Sequence, residues 1–278
     1  GARIEVEETD SQVTLVAGED TLRIDRRTGV LAGWERRDVS LLARPMAFCF
    51  WRAPTDNDRI PGESDRWRKA GYHDVRSVAR SIEVARADDA SMCVAVVGEM
   101  IGAHEKKLFD AKWRYSMQPD GAVLFESELS PVEGLPPLPR VGIELTLPGD
   151  HERFRWYGRG PHETYPDRKH SGAVGVYEER ITPDSLPYVM PQDYGNKTDV
   201  RWAELRREDG VGLRVDAEPV MCASAHPYTT RQLSEAAHTF VLRPAGTITL
   251  HCDCAVAGLG NGSCGPGTLP EYIVQPQS

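Results

Sequence analysis

Alternation of apolar and polar residues is the dominant pattern along this 278-residue chain. Apolar residues occupy every second position of 141–147, and the same period recurs in 211–215. A period of two separates side chains onto the two faces of a strand, so these runs predict half-buried β-strands. Glycine-containing turn sequences between such runs predict hairpins, at Thr28-Gly29, Pro119-Asp120-Gly121, Asp209-Gly210 and Pro244-Ala245-Gly246.

Helical patterns are scarce. Only 63–70, which follows Pro61-Gly62, and 231–237 predict short helices. Many strands without a repeat of fixed length predict an all-β fold of two large antiparallel sheets packed face to face. The proline-rich stretch 136–139 directly precedes a strand, so we interpret it as a turn inside one domain that spans 1–278. Residues 1–20 could instead be a lead-in from a preceding domain.

The charge balance excludes some classes of partner. The net charge of -9 argues against a nucleic-acid or anionic-membrane surface, which would need a clustered basic face. No apolar run approaches the roughly 18 to 20 residues that cross a bilayer. We therefore expect neither a nucleic-acid nor a membrane partner.

The six cysteines predict reduced thiols, which weakly favour a cytoplasmic location, because the sequence has no C-x-x-C pair and its length requires no disulfides. Alternation in 247–256 places Cys252 and Cys254 on one apolar strand face, which indicates core packing. A zinc site formed with Cys264 would need His251 to point to the opposite face from those thiols. We therefore expect no metal site in the chain.

Four segments rich in Gly, Pro or Asx contain most of the residues capable of chemistry: 50–58, 158–169, 190–197 and 258–266. In the first, Asp56, Asn57 and Asp58 could hold a cation or satisfy nearby backbone donors, and the absence of a calcium-loop spacing favours the second role. The second segment is restrained by glycines and prolines and combines aromatic with charged residues. Such a set suits sugar hydroxyls or a subunit contact.

Two carboxylates in the second segment, Glu163 and Asp167, could form the acid pair of a glycoside hydrolase. Each has an arginine nearby in the sequence, Arg159 or Arg168, and a guanidinium favours the ionised carboxylate, which is a poor proton donor. The histidines form no Ser-His-Asp motif, and no glycine-rich phosphate loop opens onto a helix. The residues alone therefore identify no catalytic group and no nucleotide cofactor.

In their order and spacing, the four segments resemble the C-terminal small-chain domain of family 2 β-galactosidases. The resemblance covers nearly the whole chain, and its most specific parts are Arg-Ala-Pro-Thr-Asp-Asn-Asp at 52–58, Gly-Arg-Gly-Pro-His-Glu-Thr-Tyr-Pro-Asp-Arg at 158–168, Pro-Tyr-Val-Met-Pro-Gln at 187–192 and Gly-Leu-Gly-Asn-Gly-Ser-Cys-Gly-Pro at 258–266. It implies a galactose-mutarotase-like supersandwich. It also implies a role in a retaining enzyme that hydrolyses β-D-galactosides such as lactose.

The resemblance places the catalytic residues elsewhere, in a preceding (β/α)8 barrel. That barrel would hold Mg2+, with Na+ as a further candidate, while this chain would hold no cofactor and be inactive alone. The expected partners are the barrel and other domains, a galactoside substrate, and further copies of the full enzyme.

By the same resemblance, Asn261, Ser263 and Cys264 lie at the mouth of the active site, on the aglycone side. Some relatives carry Trp at the position of Cys264, so this chain lacks an aromatic platform there. The other motif residues are expected to have structural or interface roles: Arg52, Asp56, Asn57, Asp58, Arg159, His162, Glu163, Asp167 and Arg168.

Two alternatives from other functional classes remain. An aldose-epimerase-like enzyme would use a carboxylate base and a histidine acid, for which Glu163 with His162 or His226 are the nearest candidates. A carbohydrate-binding or assembly module would bind sugar without turnover.

Overall fold

The structure is a computed structural model that describes residues 3–88 and 90–276. The chain divides into two compact units. The described parts of 1–47, 74–135 and 276–278 form the first unit, and 48–73 with 136–275 form the second. The prediction that 1–278 is a single domain stays a prediction.

The first unit contains a five-stranded and a four-stranded sheet. The five-stranded sheet runs in chain order: β1 Glu5–Glu8, β2 Gln12–Ala17, β3 Asp20–Asp25, β4 Leu31–Arg36 and β5 Val39–Ser40. The other has the order β10-β9-β8-β7: β7 Arg76–Arg86, β8 Met92–Gly102, β9 Lys106–Met117 and β10 Val123–Pro131. Trp113 of β9 joins the two sheets, since its buried indole donates to the Gly29 carbonyl at 2.8 Å.

The second unit is formed around a seven-stranded sheet of order β13-β12-β14-β15-β16-β11-β6. Its strands are β6 Ala47–Cys49, β11 Arg140–Pro148, β12 Arg153–Gly160, β13 Ala173–Arg180, β14 Lys197–Arg206, β15 Gly212–His226 and β16 Thr247–Val256. Its α-helices are α1 Asp56–Arg59, α2 Glu63–Ala70 and α3 Thr230–Glu235. Short 3-10 turns in the described chain are Ala103–Glu105, Pro183–Ser185, Thr239–Val241 and Pro270–Tyr272.

The predicted all-β fold with large antiparallel sheets is confirmed, since the strand pairings described between neighbours in all three sheets are antiparallel. The glycines of the predicted turns at Gly29, Gly121 and Gly210 have positive φ and lie between paired strands. Gly246 also has positive φ, but the prediction of a hairpin there is wrong, because α3 intervenes between β15 and β16.

The predicted helix 63–70 is confirmed by α2, which follows Gly62 in a left-handed conformation. The helix predicted at 231–237 is α3, and Thr229 and Gln232 form a capping box at its start. The sequence did not predict α1, whose four residues include only polar side chains.

Strand β16 departs from the predicted half-buried pattern. Residues 248–253 are buried on both faces of the strand, and the prediction that Cys254 lies in the core is wrong because this residue is exposed. The register explains the change: Val141 pairs with Ala255 and Gly142 with Asp253, so Cys254 is the extra residue of a β-bulge.

Candidate functional site

Arg52 and Asp58 form a buried ion pair beneath the loop 258–266. The guanidinium donates from Nη2 to Asp58 Oδ1 at 2.6 Å and from Nε to Oδ2 at 3.1 Å. It also donates to the carbonyls of Ala257 and Gly258, at 2.8 and 3.1 Å. Arg52 is 1% exposed and Asp58 4%. The buried pair therefore holds the backbone at the start of the loop through the Ala257 and Gly258 carbonyls.

Asn57 holds the body of the same loop through three hydrogen bonds. Its Nδ2 donates to the Gly260 carbonyl at 2.7 Å, and its Oδ1 accepts from the Ser263 amide and hydroxyl at 3.0 and 2.7 Å. Asp167 adds a further anchor, because its Oδ2 accepts from the Gly260 amide at 2.8 Å. Side chains from two of the predicted segments thus fix a third.

The loop presents its tip to solvent while its base is held. Asn261, Ser263 and Cys264 are all exposed. Within the loop, the Asn261 carbonyl accepts from the amides of Cys264 and Gly265, at 3.0 and 2.7 Å, which closes a tight turn. The predicted aglycone-side residues therefore lie on a restrained, outward-facing loop.

The Asp-Asn-Asp run does not form one ligand cluster. The Asp56 side chain is 63% exposed, and its Oδ1 lies 3.9 Å from Arg59 Nη1. Asn57 reaches the loop, and Asp58 is buried against Arg52 and the backbone amide of Thr55. The arrangement places these three side chains in three different environments.

The segment 158–169 is connected to its neighbours mainly by charged groups. Arg159 pairs with Asp199 and donates to the Gly172 carbonyl at 2.9 Å. Glu163 accepts from the Arg168 guanidinium, from the Tyr188 hydroxyl and from the Gly195 amide at 2.9 Å. His162 is exposed, and its Nε2 lies 2.9 Å from the Ser171 hydroxyl. Asp167, in contrast, faces the Gly260 amide rather than an arginine.

A buried polar network lies behind these segments. Tyr165 donates to Asp193 Oδ2 at 2.8 Å, and Arg140 Nη2 donates to Asp193 Oδ1 at 3.2 Å. Arg140 Nε is also 3.5 Å from Asp253 Oδ2. Burial raises the pKa of Asp253 to about 7, although Arg140 opposes the shift. Sequence reasoning missed Arg140 and Asp253, because an isolated charge in a strand pattern does not reveal its partner.

His162 and Glu163 line a cavity of about 340 Å3 together with Tyr188, Tyr194 and Lys197. Lys197 is 2% exposed and donates to the Pro161 carbonyl at 3.1 Å. His226 is not among the residues that line this cavity. Instead it is buried against the ring of Tyr194, at 4.3 Å between ring centroids, and burial lowers its pKa to about 4.

Gly160 lies where two aromatic rings leave no room for a side chain. A Cβ on this residue would lie 2.8 Å from Tyr177 Cδ2 and 2.9 Å from Trp156 Cζ2. We expect Gly160→Ala to lower the free energy of unfolding by about 1–3 kcal/mol through overpacking. Gly267→Ala is the matched control, because a Cβ there meets no heavy atom within 4 Å. Equal urea midpoints for the two variants would contradict the expected overpacking.

The family model described as Beta galactosidase small chain matches residues 17–278. The chain belongs to the β-galactosidase small-chain family. The four segments 50–58, 158–169, 190–197 and 258–266 lie inside the matched range, so the loop and its anchors are parts of a small-chain domain.

Curated relatives named β-galactosidase support this membership. The chain is 28% identical over 273 residues to that of Priestia megaterium and 30% identical over 274 residues to that of Vibrio cholerae. These matches cover 97% and 95% of this chain but 26% of each relative. The small-chain domain thus spans about a quarter of the length of the curated relatives it matches.

A solved structure from Escherichia coli K12, described as "Putative aldose 1-epimerase", covers 99% of this chain and 95% of its own. Its TM-score is 0.41 and its identity 10%, and a likeness this weak carries no argument about fold or activity. In the parts of the chain that the structure describes, no helix is long and apolar enough to span a bilayer.

Proposed function

We propose that the chain is the non-catalytic C-terminal domain of a retaining β-galactosidase and that it lines the aglycone side of the substrate pocket. The observation that carries this proposal is the loop 258–266, whose base is fixed by Arg52, Asn57 and Asp167 while its tip is exposed. A restrained, solvent-facing tip suits a loop that completes a pocket formed largely by another domain, because little ordering remains to be done on binding.

The carboxylates of Glu163 and Asp167 accept hydrogen bonds from other groups of the domain, which supports a non-catalytic role. Glu163 already accepts three hydrogen bonds, and Asp167 accepts the Gly260 amide from within the loop anchor. A general acid must instead hold a proton and deliver it to a leaving group. The nucleophile and the acid/base group would therefore come from the catalytic barrel.

The proposed partners are suggested by the relatives, because this chain covers only 26% of the length of each. The remaining three quarters of such a protein would supply the (β/α)8 barrel, its Mg2+ and Na+ sites and the contacts of a homo-oligomer. The small-chain domain would support the barrel and aid assembly. A cytoplasmic location, and lactose as a substrate, belong to the same proposal.

Replacing Cys264 with tryptophan in the full-length enzyme should strengthen acceptor binding. The exposed position would gain an aromatic face, and sugars pack their apolar C–H faces on such rings. We expect an affinity for glucose as acceptor that is on the order of tenfold higher, equivalent to about 1.4 kcal/mol, measured from the ratio of transglycosylation to hydrolysis.

Val176→Trp is the control for this substitution, because it adds the same indole to an exposed position on β13, away from the loop. Unchanged acceptor kinetics in Cys264→Trp, or an equal change in Val176→Trp, would count against an aglycone-side position of the loop.

The cavity that contains His162 and Glu163 favours a second candidate, in which the chain itself binds or epimerises a sugar. Polarimetry of freshly dissolved α-galactose with the purified chain separates the two. Our first proposal predicts no acceleration of mutarotation, whereas a rate proportional to chain concentration and lost in Glu163→Gln would favour the second.

A further inference from the structure

Three neighbouring strands of the seven-stranded sheet each contribute one side chain with metal-binding chemistry to the same place. Cys49 is on β6, Glu144 on β11 and His251 on β16, and these strands are adjacent in the order β16-β11-β6. Glu144 and His251 are direct cross-strand partners. The three therefore form a row across the sheet, as side chains at matching positions of adjacent strands do.

The ligand atoms of this row converge. The Cys49 Sγ, one Glu144 carboxylate oxygen and one His251 ring nitrogen all lie within 4.8 Å of one another. The centre of a triangle with sides no longer than this is at most about 2.8 Å from each corner, against Zn–S and Zn–N bonds of about 2.3 and 2.0 Å. Side-chain movements of up to about 0.8 Å would give bonding distances.

The chemistry of the three groups is complementary to a zinc-like cation. A thiolate, an imidazole and a carboxylate are the ligands that Zn2+ uses in proteins, whereas Mg2+ and Ca2+ select oxygen donors. A dication with one thiolate and one carboxylate has no net charge, which favours a site as buried as this one. The positive charge of the nearby Arg140 is compensated by ion pairs with Asp193 at 3.2 Å and Asp253 at 3.5 Å.

One ring nitrogen of the row makes no hydrogen bond within the described chain, while the Cys49 thiol donates to the Trp51 carbonyl at 3.3 Å, a proton that a metal would displace. Thr230 Oγ1 lies 3.1 Å from Glu144 Oε2 and 3.0 Å from His251 Nε2. Since the Thr230 hydroxyl donates to Glu144, the Nε2–H of His251 can donate to Thr230 Oγ1, and this tautomer leaves a lone pair on Nδ1. The buried Nδ1 has no hydrogen-bond partner among the described residues. A cation would give this nitrogen the partner that it lacks among the described residues.

The row has one side that solvent can reach. Cys49 and His251 are 8% and 1% exposed, but the Glu144 side chain is 24% exposed. Thr230, at the first residue of α3, lies against both Glu144 and His251 and is partly exposed. A fourth ligand, either water or the Thr230 hydroxyl, would come from this side and complete a tetrahedral set.

We propose that Cys49, Glu144 and His251 form a binding site for one Zn2+ or a similar transition-metal dication in the small-chain domain. The site stabilises the junction of β6, β11 and β16. Its residues lie outside the loop 258–266, and the site departs from the sequence-based expectation that this chain binds no metal.

Cobalt(II) reports the proposed site directly, because a cobalt–thiolate bond produces a near-ultraviolet charge-transfer band and tetrahedral cobalt produces intense visible bands. We expect the reduced, purified chain to bind one equivalent of Co2+ with both signals, to lose them on addition of Zn2+, and to keep them in excess Mg2+. The absence of a charge-transfer band at any Co2+ concentration would overturn the proposal.

Matched variants identify the thiol. Cys49→Ser should abolish the charge-transfer band, and Cys264→Ser, which alters an exposed cysteine, should retain it. Glu144→Gln should weaken Zn2+ binding by at least about tenfold while the fold, followed by circular dichroism, is kept. If Cys49→Ser fails to fold, Glu144→Gln decides the matter, and unchanged Zn2+ affinity in that variant would contradict the site.

Discussion

Replacing Arg52 with methionine is expected to lower the free energy of unfolding by about 3–5 kcal/mol, the usual effect of removing one member of a buried ion pair. The substitution leaves Asp58 as an uncompensated charge that is 4% exposed. It also removes the donors to the carbonyls of Ala257 and Gly258, which precede and begin the loop 258–266. Urea denaturation of the purified chain measures the change.

Arg66→Met is the control for this variant. Arg66 pairs with Glu63 on the surface of α2 with a 56% exposed side chain, and surface pairs contribute about 0–1 kcal/mol. A loss below about 1 kcal/mol in Arg52→Met, or equal losses in the two variants, would show that the buried pair does not hold the fold together.

Replacing Asn57 with alanine is expected to release the loop without unfolding the unit. Three hydrogen bonds disappear, and a net value of about 0.5–1.5 kcal/mol for each gives a loss of roughly 1.5–4.5 kcal/mol in the restraint on the loop. Because about 1.4 kcal/mol corresponds to a factor of ten, the proposed function predicts that β-galactosidase activity of the full-length enzyme falls by at least about tenfold. Hydrogen exchange at the Ser263 amide should increase in parallel.

Asp56→Asn is the matched control next to Asn57, since the Asp56 side chain is 63% exposed and makes no hydrogen bond to the loop within the described part of the chain. We expect it to leave both activity and Ser263 exchange unchanged. Faster exchange in Asn57→Ala with full activity would separate loop order from function and contradict the role of the loop.

The local elements were largely predictable from sequence. A period-two pattern predicted β11, and the turn glycines Gly29, Gly121 and Gly210 have the positive φ that makes glycine suitable there. Helix α2 follows a Pro-Gly start and was predicted with its observed bounds. These features depend on neighbours within a few residues, which the sequence lists in order.

Features that depend on distant partners were not predictable in the same way. Helix α1 lacks an apolar period, and its Asp58 is buried in a pair with Arg52. Arg52 in turn donates to the Ala257 and Gly258 carbonyls, about 200 positions away. The bulge that exposes Cys254 arises from the register between β11 and β16. A strand pattern gives the faces of one strand but not the register with its neighbour.

In the candidate site, too, some features were predictable from the sequence and others depend on distant contacts. The family resemblance predicted a binding role for Asn261, Ser263 and Cys264, and the structure places all three on an exposed loop tip. The resemblance grouped Asp56 with Asn57, yet only Asn57 contacts the loop through its side chain in the described hydrogen bonds. Which side chain holds a loop is a property of the folded geometry.

The most direct measurement is hydrolysis of a chromogenic β-galactoside by the purified chain, by the separately expressed catalytic portion of the same protein, and by their mixture. The proposed function predicts no turnover by the chain alone and a rate that rises with chain concentration when the catalytic portion is present. Turnover by the chain alone, or a catalytic portion whose rate is unaffected by the chain, would contradict it.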